Sequence, residues 1–161
     1  MPQRKSIITF LFSLLLSQAV FAQAPADSDL ASINAVLDRF HSAAATGDWD
    51  NYFTLLTEDA VFLGTDAGER WPKAVFRDYA GNSRGWVYTP RERHVNLTPD
   101  GNSAWFDELL DSASYGTSRG SGVLVRTTLG WKISQYHLTF PIPNALAREI
   151  TDAIKAWEAR Q

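Results

Sequence analysis

The sequence contains no cysteine. This absence excludes a disulfide framework, a thiolate metal site and a cysteine nucleophile together, so the fold must be stabilised by packing. The three histidines, His41, His94 and His137, are scattered along the chain and show none of the short spacings of a zinc site. We therefore expect no metal, and no cofactor.

The chain also lacks an excess of positive charge. Its formal net charge is −3, and removal of Arg4 and Lys5 would change it to −5. A basic face is what binding to nucleic acid or to an anionic lipid surface requires. We therefore expect neither partner.

Long apolar runs are absent except near the N-terminus, where residues 7–21 follow Arg4 and Lys5. The run ends in the small-residue site Val20-Phe21-Ala22, which is the order of a secretory signal, and it is too short for a membrane span. The pattern predicts a signal peptide over residues 1–22 and a single domain over residues 23–161. The mature protein is then expected in the periplasm or secreted.

Aromatic residues are abundant, with six tryptophans, nine phenylalanines and five tyrosines. Such bulky side chains fill a dense core or line a cavity, and composition alone does not separate the two.

Hydrophobic periodicity predicts an α+β fold. Apolar positions spaced three and four apart predict helices over 29–45, 49–56, 72–81 and 144–157. Short runs with turn residues between them predict strands over 60–64, 86–97, 103–112, 120–128 and 131–140. The last four strands should pair as an antiparallel meander, with the helices packed on one face of a curved sheet that leaves a conical hollow.

Several segments carry a resemblance to a known family. The stretch Thr46–Phe62, with Gly47-Asp48-Trp49 and Glu58-Asp59-Ala60-Val61-Phe62, is similar to the helix-to-strand signature of SnoaL-like proteins of the nuclear transport factor 2 superfamily. The further segments that resemble one SnoaL-like subgroup are 64–71, 104–108, 119–124, 130–138 and 141–144. The resemblance implies a cone-shaped α+β barrel, frequently homodimeric, with a pocket inside the cone. Members include isomerases, cyclases and dehydratases as well as binding and assembly domains.

Strand alternation selects candidates for the hollow. Glu108 shares a face with Phe106, and His137 shares a face with Gln135, so we expect Glu108 and His137 to meet inside. A carboxylate beside an imidazole in an apolar cavity is suited to general acid or base chemistry near neutral pH. The alternative is that the two side chains satisfy each other structurally or bind a buried water.

The connection before the third helix supplies further candidates. The resemblance implies that Asp66 and Trp71 lie at the mouth of the cone, with Glu69 and Arg70 between them. Asp66 is a candidate catalytic group or a turn cap, and Trp71 a candidate ligand contact or plain packing.

Arg119 precedes two glycines in a predicted strand, where it would either receive an acidic ligand group or pair with Asp107, Glu108 or Asp111. The segment Gly116–Gly120 matches the hydrolase pattern G-x-S-x-G. We reject a serine nucleophile, because that motif requires a following helix and residues 123–128 predict a strand.

Three functions fit these features. The first is an exported domain that binds a small apolar or amphiphilic molecule in the cone. The second is a cofactor-free enzyme in which Glu108 or Asp66 moves a proton and His137 or Arg119 stabilises charge. The third is a dimeric interaction module whose cone is filled by its own side chains.

A homodimer is expected through the outer face of the sheet. Alternation in the last strand places Tyr136, Leu138 and Phe140 on that face, where a monomer would expose them.

Overall fold

A computed structural model describes residues 24–161, with side chains from residue 27 onward. The predicted signal peptide lies outside the described residues. In the described part of the chain, no helix combines the length and the apolar character needed to cross a membrane.

Two helices precede the first strand, and a third helix lies between the second and third strands. Helix α1 covers Ala24–Thr46, α2 covers Trp49–Thr54 and α3 covers Lys73–Gly81. The side chain of Asp48 caps α2 by accepting the backbone N–H of Asn51, as the sequence predicts for a helix start. Helix α1 contacts the sheet along its apolar stripe, which includes Ile33, Leu37 and Phe40, all buried.

Six strands form one curved, open, mixed sheet in the order β2-β1-β6-β5-β4-β3. Strand β1 covers Leu56–Leu63, β2 Arg70–Pro72, β3 Thr89–Leu97, β4 Ser103–Ser112, β5 Gly116–Thr127 and β6 Gly130–Thr139. Strands β3 to β6 form the predicted antiparallel meander. The β1–β6 pair is parallel, and the short edge strand β2 was not predicted. The α+β cone predicted from the sequence is therefore confirmed.

Strand β6 contains a β-bulge that reverses its alternation. Val123 of β5 pairs with Gln135 and Leu124 pairs with Ile133, so Ser134 is an extra residue without a partner in β5. Trp131 and Ile133 face the core before the bulge, and Tyr136 is the buried residue after it. The prediction that Gln135 and His137 share the inner face with Ile133 is therefore wrong, as is the placement of Tyr136 outside.

The C-terminal segment stands apart from the rest of the molecule. A 3-10 turn at Asn144–Leu146 leads into helix α4, Ala147–Glu158, which has no buried residue. Its predicted apolar stripe is exposed, with Ile154 46% and Trp157 54% accessible.

Candidate functional site

Glu108 lies on the inner face of β4 and is fully buried, with Phe106 and Leu110 on the same face. Strand alternation predicted this inward direction, because positions 106, 108 and 110 must share one side of the sheet. Phe106 is buried against the ring of Tyr136, with 5.9 Å between the ring centroids. It packs in the core and does not line either chamber of the hollow described below.

The imidazole that meets Glu108 belongs to His41 and not to His137. His41 Nε2 lies 2.6 Å from Glu108 Oε1, and both side chains are buried. His41 comes from the buried stripe of α1, one turn after Leu37. His137 lies on the outer face of β6, paired with Ser121 of β5, because the bulge at Ser134 turns it away from the hollow. The expected contact between Glu108 and His137 is therefore wrong.

Arg93 of β3 extends this contact into an ion cluster that is buried at Glu108 and reaches the surface at Asp38. Its Nε donates to Glu108 Oε2 at 2.8 Å, and its Nη1 donates to Asp38 Oδ1 on α1 at 2.7 Å. We use the term ion cluster for His41, Glu108, Arg93 and Asp38. The cluster fastens α1 to β3 and β4 by charge-assisted hydrogen bonds, which are the stronger kind.

Tyr136 completes the surroundings of Glu108. Its hydroxyl donates to Glu108 Oε1 at 3.2 Å, so this carboxylate accepts hydrogen bonds from His41, Arg93 and Tyr136. Gly120 of β5 leaves room for the contact, because a Cβ there would overlap the Tyr136 hydroxyl and lie 2.9 Å from Glu108 Oε1.

The protonation states in the cluster follow from these contacts. Burial acts to raise the pKa of Glu108, but the hydrogen bonds and charges of His41 and Arg93 outweigh it and hold that pKa below its usual value. Burial, reinforced by the charge of Glu108, raises the pKa of Tyr136 well above its usual value. Glu108 is therefore an ionised acceptor at neutral pH, and Tyr136 is a neutral phenol.

An open chamber occupies the mouth of the hollow. This outer chamber has a volume of about 270 Å³ and is lined mostly by aromatic rings, with Gly64, Thr65, Glu69 and Leu138 between them. The rings belong to Phe62, Trp71, Phe76, Tyr79, Trp86, Tyr88, Tyr115 and Phe140. Trp71 thus lies where the sequence predicts. Leu138 and Phe140 also line this chamber, so their predicted place on the outer face of the sheet is wrong.

A smaller inner chamber of about 20 Å³ lies towards the ion cluster. Its lining includes His41 and Tyr136. It shares four residues with the outer chamber: Phe62, Trp86, Tyr88 and Leu138. This volume is enough for one water-sized group. The hollow therefore runs from an aromatic mouth to a polar base.

The loop between β1 and β2 forms part of the mouth. Asp66 is exposed, and its Oδ1 accepts the backbone N–H of Gly68 at 2.7 Å, which is the turn-capping geometry that we considered for it. Glu69 lines the outer chamber instead. Its carboxylate lies against Gly64 and accepts the backbone N–H of Asp66 at 3.2 Å.

Arg119 and Gln135 lie outside the hollow. Arg119 is exposed on the outer face of β5, opposite Leu109 and Thr139. Two of its three predicted acidic partners are engaged elsewhere, since Asp111 pairs with Arg91 and Glu108 belongs to the ion cluster. The ion pairs of the described residues do not include one between Arg119 and Asp107. Gln135 lies on the outer face because of the bulge in β6.

The G-x-S-x-G segment lies within strand β5, which begins four residues before the predicted 120–128. Ser118 is buried there, and its hydroxyl donates to the backbone carbonyl of Gly116 at 3.4 Å. The strand–turn–helix context of a hydrolase nucleophile is not formed at this segment. Among the described residues, no three His, Asp or Glu side chains lie close enough together to hold a metal ion.

The sequence analysis did not select His41 or Arg93, although the sequence pattern around each residue indicates that its side chain faces the core. His41 is a polar residue within an apolar helical stripe, and Arg93 alternates with Val95 and Leu97 on the inner side of β3. A charged residue at an inward position requires a buried partner. The sequence alone does not say which partner it is, because that depends on how α1 crosses the sheet.

These features define an α+β cone with an aromatic-lined hollow. The family model of the SnoaL-like domain matches residues 33–143, so the chain belongs to the SnoaL-like family. A comparison with curated proteins finds no match.

Solved structures of the NTF2-like class share this fold. An NTF2-like protein of unknown function from Pseudomonas putida is 15% identical, with a TM-score of 0.61, over 74% of this chain and 90% of that one. A candidate dehydratase of the NTF2-like family from Streptomyces avermitilis is 18% identical, with a TM-score of 0.58, over 73% and 99%. A candidate aromatic ring hydroxylase from Novosphingobium aromaticivorans is 22% identical, with a TM-score of 0.60, over 73% and 92%. At these identities the likeness establishes the fold alone.

Proposed function

We propose that this protein binds a small apolar or amphiphilic molecule in the hollow. The observation that carries the proposal is the outer chamber, an open cavity of about 270 Å³ with a mostly aromatic lining and a polar base at His41 and Tyr136. Ligand sites are typically concave, largely apolar and equipped with a few polar groups that orient the ligand.

The volume limits the size of the ligand. A cavity of roughly 150 Å³ accepts benzene. The outer chamber therefore suits a molecule with one substituted ring or an apolar body of similar size. Its polar end would point towards the inner chamber, where His41 and Tyr136 offer hydrogen bonds.

Calorimetric titration with 4-propylphenol tests this function, because the probe combines one ring, an apolar tail and one hydroxyl. We expect saturable binding to the native protein and a loss of affinity of roughly tenfold or more in Leu138→Trp, which fills the junction of the chambers. Leu129→Trp is the matched control, since Leu129 is 82% exposed in the turn between β5 and β6. Binding that is absent, or equally affected by both substitutions, would contradict the proposal.

A second candidate, a cofactor-free acid/base enzyme, is favoured by the contact between His41 and Glu108. An ionised carboxylate only accepts hydrogen bonds, so His41 Nε2 must carry the proton that faces it. With Nε2 as the donor to Glu108, Nδ1 is the ring nitrogen that is left to accept a proton, and the ring lines the inner chamber. In this arrangement His41 moves the proton, and Glu108 is a positioning residue that fixes the tautomer. The candidate dehydratase of the same fold class lends support to this alternative.

Exchange of the α-hydrogens of phenylacetone in D₂O separates the two functions. An enzyme with His41 as general base should accelerate the exchange, and His41→Asn should reduce that acceleration by about 10²–10⁴-fold. A binding protein should bind phenylacetone without accelerating its exchange.

Export and dimerisation are also proposals. The order of charged, apolar and small residues over 1–22 supports export, and intact-mass analysis of exported protein beginning at Gln23 tests it. Exposed Trp105 and partly exposed Leu109 and Val123 support a dimer through the outer face of the sheet. Sedimentation of the native protein and of Trp105→Glu tests it.

A further inference from the structure

The charged side chains that line the outer chamber restrict the class of ligand that it can bind. Twelve described residues line the chamber; eight are aromatic, and Glu69 alone carries a charge at neutral pH. Neither lysine nor arginine contributes to this lining. A ligand group at the mouth therefore meets aromatic rings and one carboxylate.

The rings form walls that enclose this space. Trp71 and Tyr79 lie with their ring centroids 4.6 Å apart, and Tyr115 and Phe140 stack at 4.8 Å. Trp86 lies 6.3 Å from Tyr79 and also lines the chamber. The face of an aromatic ring carries negative electrostatic potential, so rings around one space attract a positive charge.

The tyrosine hydroxyl groups at the mouth also favour a positively charged ligand group. Burial, with smaller contributions from Tyr115 and Tyr79, raises the pKa of Tyr88, so its hydroxyl stays neutral at physiological pH. A neutral phenol has an oxygen that accepts hydrogen bonds or contacts a positively charged group.

Glu69 is held at the chamber without a cationic partner. Its carboxylate accepts the backbone N–H of Asp66, and no lysine or arginine among the described residues forms an ion pair with it. Glu108 at the base, in contrast, is neutralised by Arg93. The mouth therefore has an uncompensated negative charge surrounded by rings.

We propose that the outer chamber binds an organic cation, an alkylated or protonated amine on an apolar body. The ammonium group lies among the rings near Glu69, and the apolar body extends towards Leu138. This inference rests on the proposed binding function and specifies the chemical class of its ligand. Aromatic faces combined with a nearby carboxylate recognise quaternary ammonium groups through cation–π and ionic attraction.

A matched set of probes tests the inference. Benzyltrimethylammonium, neopentylbenzene and benzylphosphonate have similar sizes and carry positive, zero and negative charge. In calorimetric or NMR titrations at about 0.15 M salt, which screens long-range attraction, we expect the cation to bind at least roughly tenfold more tightly than the neutral compound. The phosphonate should bind most weakly.

Two variants locate the origin of that preference. Glu69→Gln keeps an oxygen that can accept the Asp66 N–H but removes the charge, so the affinity for the cation should fall several-fold while that for neopentylbenzene stays unchanged. Glu149→Gln removes an exposed carboxylate on α4 and is the matched control, with no change for either probe.

The possible outcomes separate the two proposals. Equal or tighter binding of neopentylbenzene overturns the inference about charge and leaves the binding function standing. A preference for the cation that is the same in native protein, Glu69→Gln and Glu149→Gln also overturns it, because the carboxylate at the mouth then contributes nothing to the preference. If none of the three probes binds the native protein while 4-propylphenol does, the inference alone fails. If 4-propylphenol does not bind either, the binding function fails with it.

Discussion

The base and the mouth of the hollow lie on the same inner side of the sheet, but their polar groups are satisfied in different ways. At the base, Glu108 is inaccessible to solvent and accepts hydrogen bonds from three side chains. At the mouth, Glu69 is partly exposed and accepts one backbone N–H, while the rings of Tyr79 and Tyr115 are more than half exposed.

This difference separates stability from binding. Removal of a group at the base leaves a buried charge without its partner, which is costly because water cannot replace that partner. Removal of a group at the mouth exposes its neighbours to solvent that already reaches them. We therefore expect the base to determine the free energy of unfolding and the mouth to determine which ligand binds.

The same substitution at the two ends gives the largest expected contrast. Glu108→Gln leaves Arg93 and His41 facing a neutral amide, and we expect the free energy of unfolding to fall by about 3–5 kcal/mol. Glu69→Gln should change it by less than about 0.5 kcal/mol. Urea denaturation of both variants measures the difference. Equal losses at the two positions would show that the base does not dominate stability.

A smaller difference in stability is expected between two glycine-to-alanine substitutions, one at the base of the hollow and one away from it. Gly120→Ala places a Cβ against the Tyr136 hydroxyl and Glu108 Oε1, and overpacking of this kind costs about 1–3 kcal/mol. Gly81→Ala, at the end of α3, places its Cβ in open space and should leave stability unchanged or slightly raised. Thermal unfolding of the pair compares them. A neutral Gly120→Ala would mean that the cluster has room to shift.

The smallest expected effect is the pH dependence of the free energy of unfolding. The pKa of Glu108 is lower in the folded protein than in the unfolded chain, so its ionised form stabilises the fold above the usual carboxyl pKa. That contribution is lost as the pH falls through the folded-state pKa. The stability difference between native protein and Glu108→Gln should therefore narrow as the pH is lowered below about 4. A constant difference across a series of urea titrations at decreasing pH would argue against an ionised Glu108.

The sequence predicts the helices, the meander and the direction of Glu108, because each of these depends on local periodicity. Alternation failed in β6, where one extra residue at Ser134 reverses the faces of Gln135, Tyr136 and His137. The sequence of β6 itself does not mark this bulge, because the bulge arises from the pairing with β5. The backbone of Gln135 lies close to Gly122 of β5, where a side chain would not fit.

The site was predicted less completely than the fold. The inward direction of Glu108 follows from strand alternation, and the position of Trp71 follows from the resemblance to SnoaL-like proteins. Trp71 lines the hollow and Glu108 is buried beside it. The partner of Glu108 depends on tertiary packing, because His41 comes from a helix far away in sequence. Arg119 was misplaced because alternation alone did not fix which face of β5 is inward.

The ion cluster also has a consequence for how the molecule folds and unfolds. His41 and Glu108 are separated by 67 residues, and Arg93 and Asp38 by 55, so these contacts close only when α1 docks on β3 and β4. Contacts between distant parts of a chain are costly to form early. Interactions that are absent from the transition state chiefly affect the unfolding rate. Glu108 and its partners should therefore determine how long a folded molecule persists, rather than how quickly a new one forms.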